Sequence, residues 1–126
     1  MNASQILTKL RIKSGQRAIV LGAPNSYRAV LEALPEGIQL AEALEGKFDF
    51  IHYFAASKAQ LESTAPNLKT AMKPEGILWI SYPKGTAIAT DLKRDIVREV
   101  TENIGLKAVT QVAIDDIWSA LRFKIP

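Results

Sequence analysis

Residues 76–86, GILWISYPKGT, decide the fold of this chain. A continuous apolar run follows the turn-forming residues 73–76, KPEG, and ends in a loop that contains proline, lysine, glycine and threonine. Such a run is typical of a central strand in a parallel sheet, because a strand that is covered on both faces has no polar alternation. Open α/β sheets bind their ligands outside the C-terminal ends of the strands, so the loop at residues 82–86 is predicted to form part of a functional site.

Two further apolar runs predict strands beside this one. Residues 17–21, RAIVL, end in the turn 22–26, GAPNS, and residues 48–54, FDFIHYF, are rich in aromatic side chains. Residues 38–40 are interpreted as a short strand between them. The helix that follows the first run is predicted from apolar side chains at helical spacing, with Asn25 or Ser26 as its N-cap. Its core-facing residues are Tyr27, Val30, Leu31 and Leu34.

Three more helices are predicted from caps and apolar spacing. The first covers residues 4–10, the second begins at the capping-box sequence SKAQ, residues 57–60, and the third begins near Thr90 or Asp91. Pro66 is expected to break or restart the second helix, because proline cannot donate a backbone hydrogen bond.

The third of these helices is predicted to end at Gly105 and to carry the acids Asp91 and Asp95 in its first turns. Residues 107–114 and 117–125 then predict an antiparallel pair of strands. The core side of the helix is predicted to consist of Leu92, Ile96, Val100 and Ile104.

The alternation of strands and helices, followed by the terminal pair, predicts an α/β three-layer sandwich of the Rossmann-like type with a mostly parallel sheet. The chain has 126 residues, of which 48% are hydrophobic and 23% charged, so a single domain over residues 1–126 is expected. It contains no cysteine and one histidine, which excludes thiolate chemistry and a multi-histidine metal site, and no metal site is expected. No apolar run reaches the roughly 18–20 residues of a membrane span, and no leader is recognised at the start, so a cytoplasmic protein without membrane contact is expected.

The net charge of +3 is unevenly distributed along the chain. Residues 1–31 carry +5, residues 32–62 carry −4 and the remaining residues +2. The simplest interpretation is that lysine and arginine solvate a short N-terminal helix. Nucleic acid is therefore not the expected partner, although a basic nucleic-acid face in the first third is a third hypothesis, which predicts steep salt dependence.

The order of the predicted elements resembles that of class I S-adenosylmethionine-dependent methyltransferases. In that family a strand of the type F-D-x-I, matched here by residues 48–51, precedes a helix, an L-K-P-G-G turn, matched by residues 68–76, and the next strand. The resemblance implies a truncated methyltransferase-like fold, a cofactor beside the turn after the first strand, and an acid that ends the second strand and meets the cofactor ribose. Glu42 has the spacing for that acid. The turn at residues 22–26 holds one glycine and a proline, whereas the family pattern is G-x-G-x-G.

The whole chain is also similar to a small bacterial family of unknown function. Its members share the motifs G-Q-x-x-x-x-L-G-A-P, W-x-x-x-P-K-G-T, T-D-L-x-R-D and W-S-x-L-R-F, which are matched here by residues 15–24, 79–86, 90–95 and 118–123. This similarity implies a bacterial domain of unknown function and brings no activity with it.

The candidate ligand-binding residues lie at the predicted C-terminal ends of the strands. Lys84 supplies a cation, Thr86 a hydroxyl group, and Gly85 allows a close approach of the backbone. The bond between Tyr82 and Pro83 is a candidate for the cis isomer. The full set is Gly22, Ala23, Pro24, Tyr82, Lys84, Gly85, Thr86, Asp91 and Arg94.

Charged side chains at helical spacing predict an internal ion-pair network near these residues. Asp91 and Asp95, and likewise Arg94 and Arg98, are like-charged i,i+4 pairs, so we expect other partners for them. Lys84 and Arg122 are the predicted partners.

His52 alternates with Phe48, Phe50 and Phe54, which predicts a buried, hydrogen-bonded core histidine rather than a general base. Because no catalytic constellation is recognised, the leading hypothesis is a non-catalytic domain, without a required cofactor, that binds a small ligand or a protein partner at the strand ends. The alternative is a divergent S-adenosylmethionine-dependent methyltransferase or another small-molecule enzyme.

Overall fold

In the computed structural model, which describes residues 2–85 and 88–126, six strands form one sheet in the order β2-β1-β3-β4-β6-β5. β1 pairs in parallel with β2 and β3, and β3 with β4, whereas β6 runs antiparallel to both β4 and β5. The predicted mostly parallel sheet with a C-terminal antiparallel pair is therefore confirmed. The strands are β1 (Arg17–Leu21), β2 (Gln39–Leu40), β3 (Phe48–Phe54), β4 (Met72–Pro83), β5 (Lys107–Ala113) and β6 (Trp118–Lys124).

Helices cover both faces of this sheet and complete the predicted three layers. On one face lie α1 (Ala3–Leu10) and α2 (Arg28–Glu32), the latter preceded by a 3₁₀ turn at Asn25–Tyr27; on the other lie α3 (Lys58–Thr70) and α4 (Arg94–Glu102). None of the helices in the described ranges has both the length and the apolar character that a membrane crossing requires.

Two apolar clusters form the core, one on each face of the sheet. Beneath α1 and α2, the Nε1 of the fully buried Trp79 donates a hydrogen bond to the carbonyl oxygen of Leu10 at 2.9 Å. The cluster beneath α3 and α4 includes Leu61, Leu68 and Val97. Because β3 and β4 contribute side chains to both clusters, β3 and residues 77–83 of β4 are mostly apolar, as the continuous runs predicted.

β4 begins four residues earlier than the prediction placed it. Phe48 is opposite Met72, but Phe50 is opposite Ile77, so β4 holds three more residues than β3 over this interval. The predicted turn at residues 73–76 is thus a bulge inside the strand. A Cβ on Gly76 would lie 2.9 Å from the carbonyl oxygen of Phe48, so the bulge requires glycine there.

The N-cap predicted for α2 is wrong. Asn25 and Ser26 lie inside the 3₁₀ turn, Pro24 occupies its N-cap position, and no side chain caps it. The backbone N–H of Tyr27 donates to the carbonyl oxygen of Pro24 at 2.9 Å, so the chain turns before either polar side chain can reach the N–H groups of the helix.

Pro66 does not break α3, contrary to the prediction. The helix runs from Lys58 to Thr70 with Pro66 inside it, and Leu61 and Ala65 are fully buried. Packing of this face against the sheet compensates for the backbone hydrogen bond that proline cannot make. Half of the predicted capping box is present, since the Oγ of the N-cap residue Ser57 accepts the N–H of Gln60 at 3.2 Å.

α4 begins at Arg94 rather than near Thr90 or Asp91. The Thr90 Oγ1 donates to the carbonyl oxygen of Ala56 at 2.7 Å, and this side-chain hydrogen bond holds Thr90 outside the helix. The buried positions of α4 are Val97, Val100 and Thr101, while Ile96 and Ile104 are half-buried and Leu92 is buried ahead of the helix.

The predicted end of the helix at Gly105 is present, because Gly105 has the left-handed φ of 85°. The predicted cis bond before Pro83 is absent, since the described residues contain only trans peptide bonds.

Candidate functional site

The C-terminal ends of β1, β3 and β4 lie side by side at one edge of the sheet. Leu21 is opposite Tyr53 and Phe54 is opposite Ser81, so the three strands reach the edge at the same level. The N–H of Ala55 donates to the carbonyl oxygen of Ser81 at 2.8 Å and continues the ladder one residue further. The parallel arrangement therefore brings the three strand ends to one edge of the sheet, as predicted, and a shared ligand-binding crevice at this edge stays a prediction.

Gly22 occupies the end of β1 in a conformation that other residues rarely adopt. Its φ is 70°, and a Cβ built on it would lie 2.9 Å from the carbonyl oxygen of Phe54. Close packing of β1 against β3 thus accounts for the glycine without any ligand. Gly22 is exposed and the following Ala23 and Pro24 are half-buried, so the turn is open to solvent; that it binds a ligand stays a prediction.

Glu42 lies two residues beyond the last residue of β2, the strand that pairs with β1. Leu40 is opposite Ala18, and the N–H of Ala41 donates to the carbonyl oxygen of Ala18 at 2.8 Å, which holds the end of β2 against β1. Glu42 follows directly and is exposed, and Leu40 is 47% exposed beside it. The structure therefore places an exposed carboxylate and an exposed apolar side chain at the C-terminal end of β2, which pairs with β1 ahead of the turn at Gly22.

Tyr82 is buried rather than open at the mouth of β4. Its hydroxyl group accepts a hydrogen bond from the Nε2 of Gln111 at 3.2 Å, and the same Nε2 donates to the Oγ of Ser119 at 2.8 Å. The N–H of Lys84 donates to the carbonyl oxygen of Ile117 at 2.7 Å, so the residue just before β6 anchors the start of the loop. Gly85 is exposed with a φ of 67°, and Thr86 lies outside the described residues.

The charged cluster predicted around α4 has different partners from those expected. The Oδ1 of Asp91 accepts the N–H of Lys58 at 2.9 Å, in the first turn of α3, because Asp91 precedes α4 instead of belonging to it. The Nε of Arg94 lies 3.7 Å from Asp95, its sequence neighbour. Within residues 2–85 and 88–126, neither Lys84 nor Arg122 pairs with these residues, so the predicted network is wrong.

The N-terminal ends of the strands carry a second polar group that the sequence did not single out. The Oδ2 of Asp49 accepts the N–H of Arg17 at 2.8 Å, and its Oδ1 lies 3.1 Å from the Nζ of Lys73. The backbone hydrogen bond from Arg17, and then the ammonium group of Lys73, lower the pKa of this carboxyl group. These partners join β1, β3 and the bulge of β4, so the aspartate has a structural role at the edge opposite the crevice.

A buried chain of hydrogen bonds joins β3 and β4 near their C-terminal ends to Tyr27. The Nδ1 of His52 is 3.0 Å from the hydroxyl group of Tyr27, and its Nε2 is 2.6 Å from the Oγ of Ser81. His52 and Ser81 are fully buried. Burial lowers the pKa of His52 from 6.5 to about 3, and it raises the pKa of Tyr27 above its ordinary value. The predicted buried, hydrogen-bonded histidine is confirmed, but its partners come from distant segments and no local pattern revealed them.

Comparison with solved structures shows that the chain has the fold of the class I S-adenosylmethionine-dependent methyltransferases. It is similar to the N-methyltransferase NodS from Bradyrhizobium japonicum WM9, with a TM-score of 0.62, 14% sequence identity, and coverage of 98% of this chain and 94% of that chain. It is also similar to a ribosomal protein L11 methylase from Lactobacillus delbrueckii subsp. bulgaricus, with a TM-score of 0.61, 13% identity, and coverage of 98% and 76%.

A third similar structure is a TehB-like SAM-dependent methyltransferase from Corynebacterium glutamicum ATCC 13032, with a TM-score of 0.60, 14% identity, and coverage of 98% of this chain and 87% of that chain. At these identities the likeness establishes the fold alone. No family model matches the sequence, and no curated protein matches it.

Proposed function

We propose that this chain is a binding domain of the methyltransferase fold and that it binds a small nucleoside-containing ligand at the C-terminal ends of β1 and β2. S-adenosylmethionine and its demethylated product are the first ligands to test. The observation that carries the proposal is the exposed carboxylate of Glu42 just after β2, the strand that pairs with β1 ahead of the open turn at Gly22.

The exposed groups at this edge fit the nucleoside half of such a ligand. A carboxylate accepts hydrogen bonds from both hydroxyl groups of a ribose, and Glu42 has no ion-pair partner among the described residues. Leu40, at 47% exposure, offers apolar surface to an aromatic base. Because Gly22 has no side chain, a ligand can approach the backbone of the turn closely.

Pro24 reduces the number of backbone hydrogen-bond donors that the turn can offer to the part of the ligand outside the nucleoside. Proline has no backbone N–H, so this turn offers fewer hydrogen-bond donors to a negatively charged ligand group than a turn built from glycines. The affinity is therefore expected to depend chiefly on the nucleoside, and adenosine should compete with the full cofactor.

Calorimetric titration of S-adenosylmethionine into the wild-type chain and the Glu42→Gln variant tests the proposal. Loss of a charge-assisted hydrogen bond, about 1.5–3 kcal/mol, should weaken binding about 10-fold to 100-fold. The matched control is Glu45→Gln, which removes the same charge from an exposed residue of the same segment and should bind as the wild type does.

A thermal-denaturation series supports the titration, because a ligand at 100 times its Kd stabilises the fold by about 2.7 kcal/mol. If neither S-adenosylmethionine nor its demethylated product changes the melting temperature at 1 mM, or if Glu42→Gln binds as tightly as the wild type, the proposed site is wrong.

We propose binding without methyl transfer as the principal function, because the single histidine of the chain is fully buried and hydrogen-bonded to Tyr27 and Ser81, so it is not exposed to act as a general base on a methyl acceptor. Methyl transfer is the second candidate, and the fold shared with the N-methyltransferase NodS, also solved in complex with S-adenosyl-L-homocysteine, supports it.

An assay of S-adenosylhomocysteine production in a bacterial small-molecule extract separates the two candidates. Turnover that requires the wild-type chain and is lost in Glu42→Gln would contradict the non-catalytic function and establish the enzyme.

A further inference from the structure

The two edges of the sheet differ in length and in protection. β2 is two residues long, whereas β5 is seven residues long and pairs with β6 alone. Along an edge strand, alternate residues direct their N–H and C=O groups away from the sheet, where a further strand can pair with them. β5, with the sequence KAVTQVA, contains no proline, and its only charged residue is Lys107 at its first position. A register irregularity between Ala108 and Thr110 is its one visible protection, and it leaves Thr110–Ala113 regular.

A cationic cleft adjoins this edge. It has a volume of about 250 Å³ and is lined by Arg94 and Arg98 of α4, by residues 108–111 of β5 and by Leu121. None of the described residues that line it carries a carboxylate. Each arginine lies 3.7 Å from one acid through its Nε, and the two side chains are 57% and 48% exposed, so their remaining N–H groups are open to an anion. Val109, at 44% exposure, adds apolar surface beside them.

We propose that the β5 edge binds an extended acidic segment of a partner protein by strand addition, with carboxylates of the segment facing Arg94 and Arg98. Side chains two residues apart on an added strand are about 6.6 Å apart, and side chains four residues apart on a helix are about 6 Å apart. Alternate carboxylates of an extended segment therefore match the spacing of the two arginines. Backbone hydrogen bonds to β5 supply the affinity, and the arginines select acidic sequences.

A second copy of this chain is a poorer occupant on grounds of charge. Its β5 carries Lys107 and no acid, so self-pairing would bring two more arginines to the edge without carboxylates to meet them. The open edge and the cationic cleft are independent of the crevice at Gly22, so this inference does not rest on the proposed nucleoside site.

Fluorescence anisotropy with a labelled nine-residue peptide of alternating valine and glutamate tests the proposal. One control peptide has lysine in place of glutamate, and two others carry N-methyl groups on alternate backbone nitrogens, one version for each edge of the peptide. The acidic peptide should bind the wild-type chain saturably, and the lysine peptide should not. One of the two N-methylated versions should lose binding, because methylation removes the N–H groups that pair with β5.

The Arg94→Gln, Arg98→Gln double variant should bind the acidic peptide about tenfold more weakly, since two partly exposed ion pairs are lost. The matched control is the Arg28→Gln, Lys93→Gln double variant, which removes the same net charge from exposed residues that do not line the cleft. It should bind within about twofold of the wild type. Circular dichroism confirms that both variants are folded.

Four results would overturn the proposal: no saturable binding of the acidic peptide at 1 mM, equal binding of the lysine peptide, full binding of both N-methylated peptides, or no effect of the arginine variant. Sedimentation velocity adds a fifth. A dimer of the chain that excess acidic peptide does not dissociate would assign the edge to a second copy instead.

Discussion

Acidification between pH 7.5 and pH 5 should destabilise this protein through one residue, His52. Burial lowers its pKa from 6.5 to about 3, so over this range the unfolded chain binds a proton that the folded chain does not. Stability is therefore fully present above pH 6.5 and is lost progressively as the pH falls towards 3. The free energy of unfolding should fall by about 2 kcal/mol between pH 7.5 and pH 5, with a slope that approaches about 1.4 kcal/mol per pH unit.

The magnitude of this loss does not depend on the exact pKa of the folded state. As long as His52 stays neutral in the folded chain at pH 5, the loss is set by protonation of the unfolded chain alone. His52 is the single histidine in the sequence, and carboxyl groups titrate mainly below pH 5, so the slope has one principal source.

Urea denaturation followed by the fluorescence of the buried Trp79 and Trp118 measures the effect at several pH values. With an m-value near 2 kcal/mol per M, the midpoint should move by about 1 M between pH 7.5 and pH 5. The matched variant is His52→Gln, whose amide can hydrogen-bond to Tyr27 and Ser81 but does not titrate. Its overall stability will be lower, but its stability should be nearly constant over this range. A flat profile in the wild type, or the same slope in His52→Gln, would refute the reasoning.

Three further predictions concern stability. Gly22→Ala should lower the free energy of unfolding by at least about 1 kcal/mol more than Gly15→Ala does. Both glycines have a positive φ, but only at Gly22 would the added Cβ lie 2.9 Å from a carbonyl oxygen. Equal melting temperatures of the two variants would contradict this prediction. Trp79→Phe should lower the free energy of unfolding by about 1–3 kcal/mol more than Trp118→Phe does, because it removes the N–H that donates to the carbonyl oxygen of Leu10 at the end of α1. Chemical denaturation of both variants measures the difference. The Asp49→Asn variant should lose less stability than the wild type between pH 4 and pH 2. The pKa of the Asp49 carboxyl group is lowered in the folded chain, so the ionised group stabilises the fold and this stabilisation disappears when the group is protonated. If the free energies of unfolding of the two proteins fall in parallel over this range, the carboxylate does not stabilise the fold.

Most strands and the layer order could be predicted because they rest on local apolar pattern. Residues 17–21 and 48–54 match β1 and β3 without error, since a buried strand must be apolar wherever its neighbours lie. Helix starts were less predictable. Polar residues such as Asp91 can cap their own helix or bond to another segment. Only the folded chain shows that the Asp91 carboxylate accepts a hydrogen bond from the N–H of Lys58 in the first turn of α3.

The candidate site was predictable as a location and not as a set of side chains. The parallel run of β1, β3 and β4 was enough to place Gly22 beside the end of β3. The burial of Tyr82 was not predictable, because its hydrogen-bond donor Gln111 and the opposite residue Ser119 follow it in the chain by 29 and 37 residues.

By itself, the sequence determined which segments are strands and helices and that they form an α/β sandwich, because hydrophobic periodicity is a property of neighbouring residues. Only the tertiary structure decided the bulge at residues 73–76, the hydrogen bonds of His52, the pairing of β2 with β1, and the open edge beside Arg94 and Arg98. Each of these joins residues that are distant in the chain, so each depends on strand order and register, which no local pattern contains.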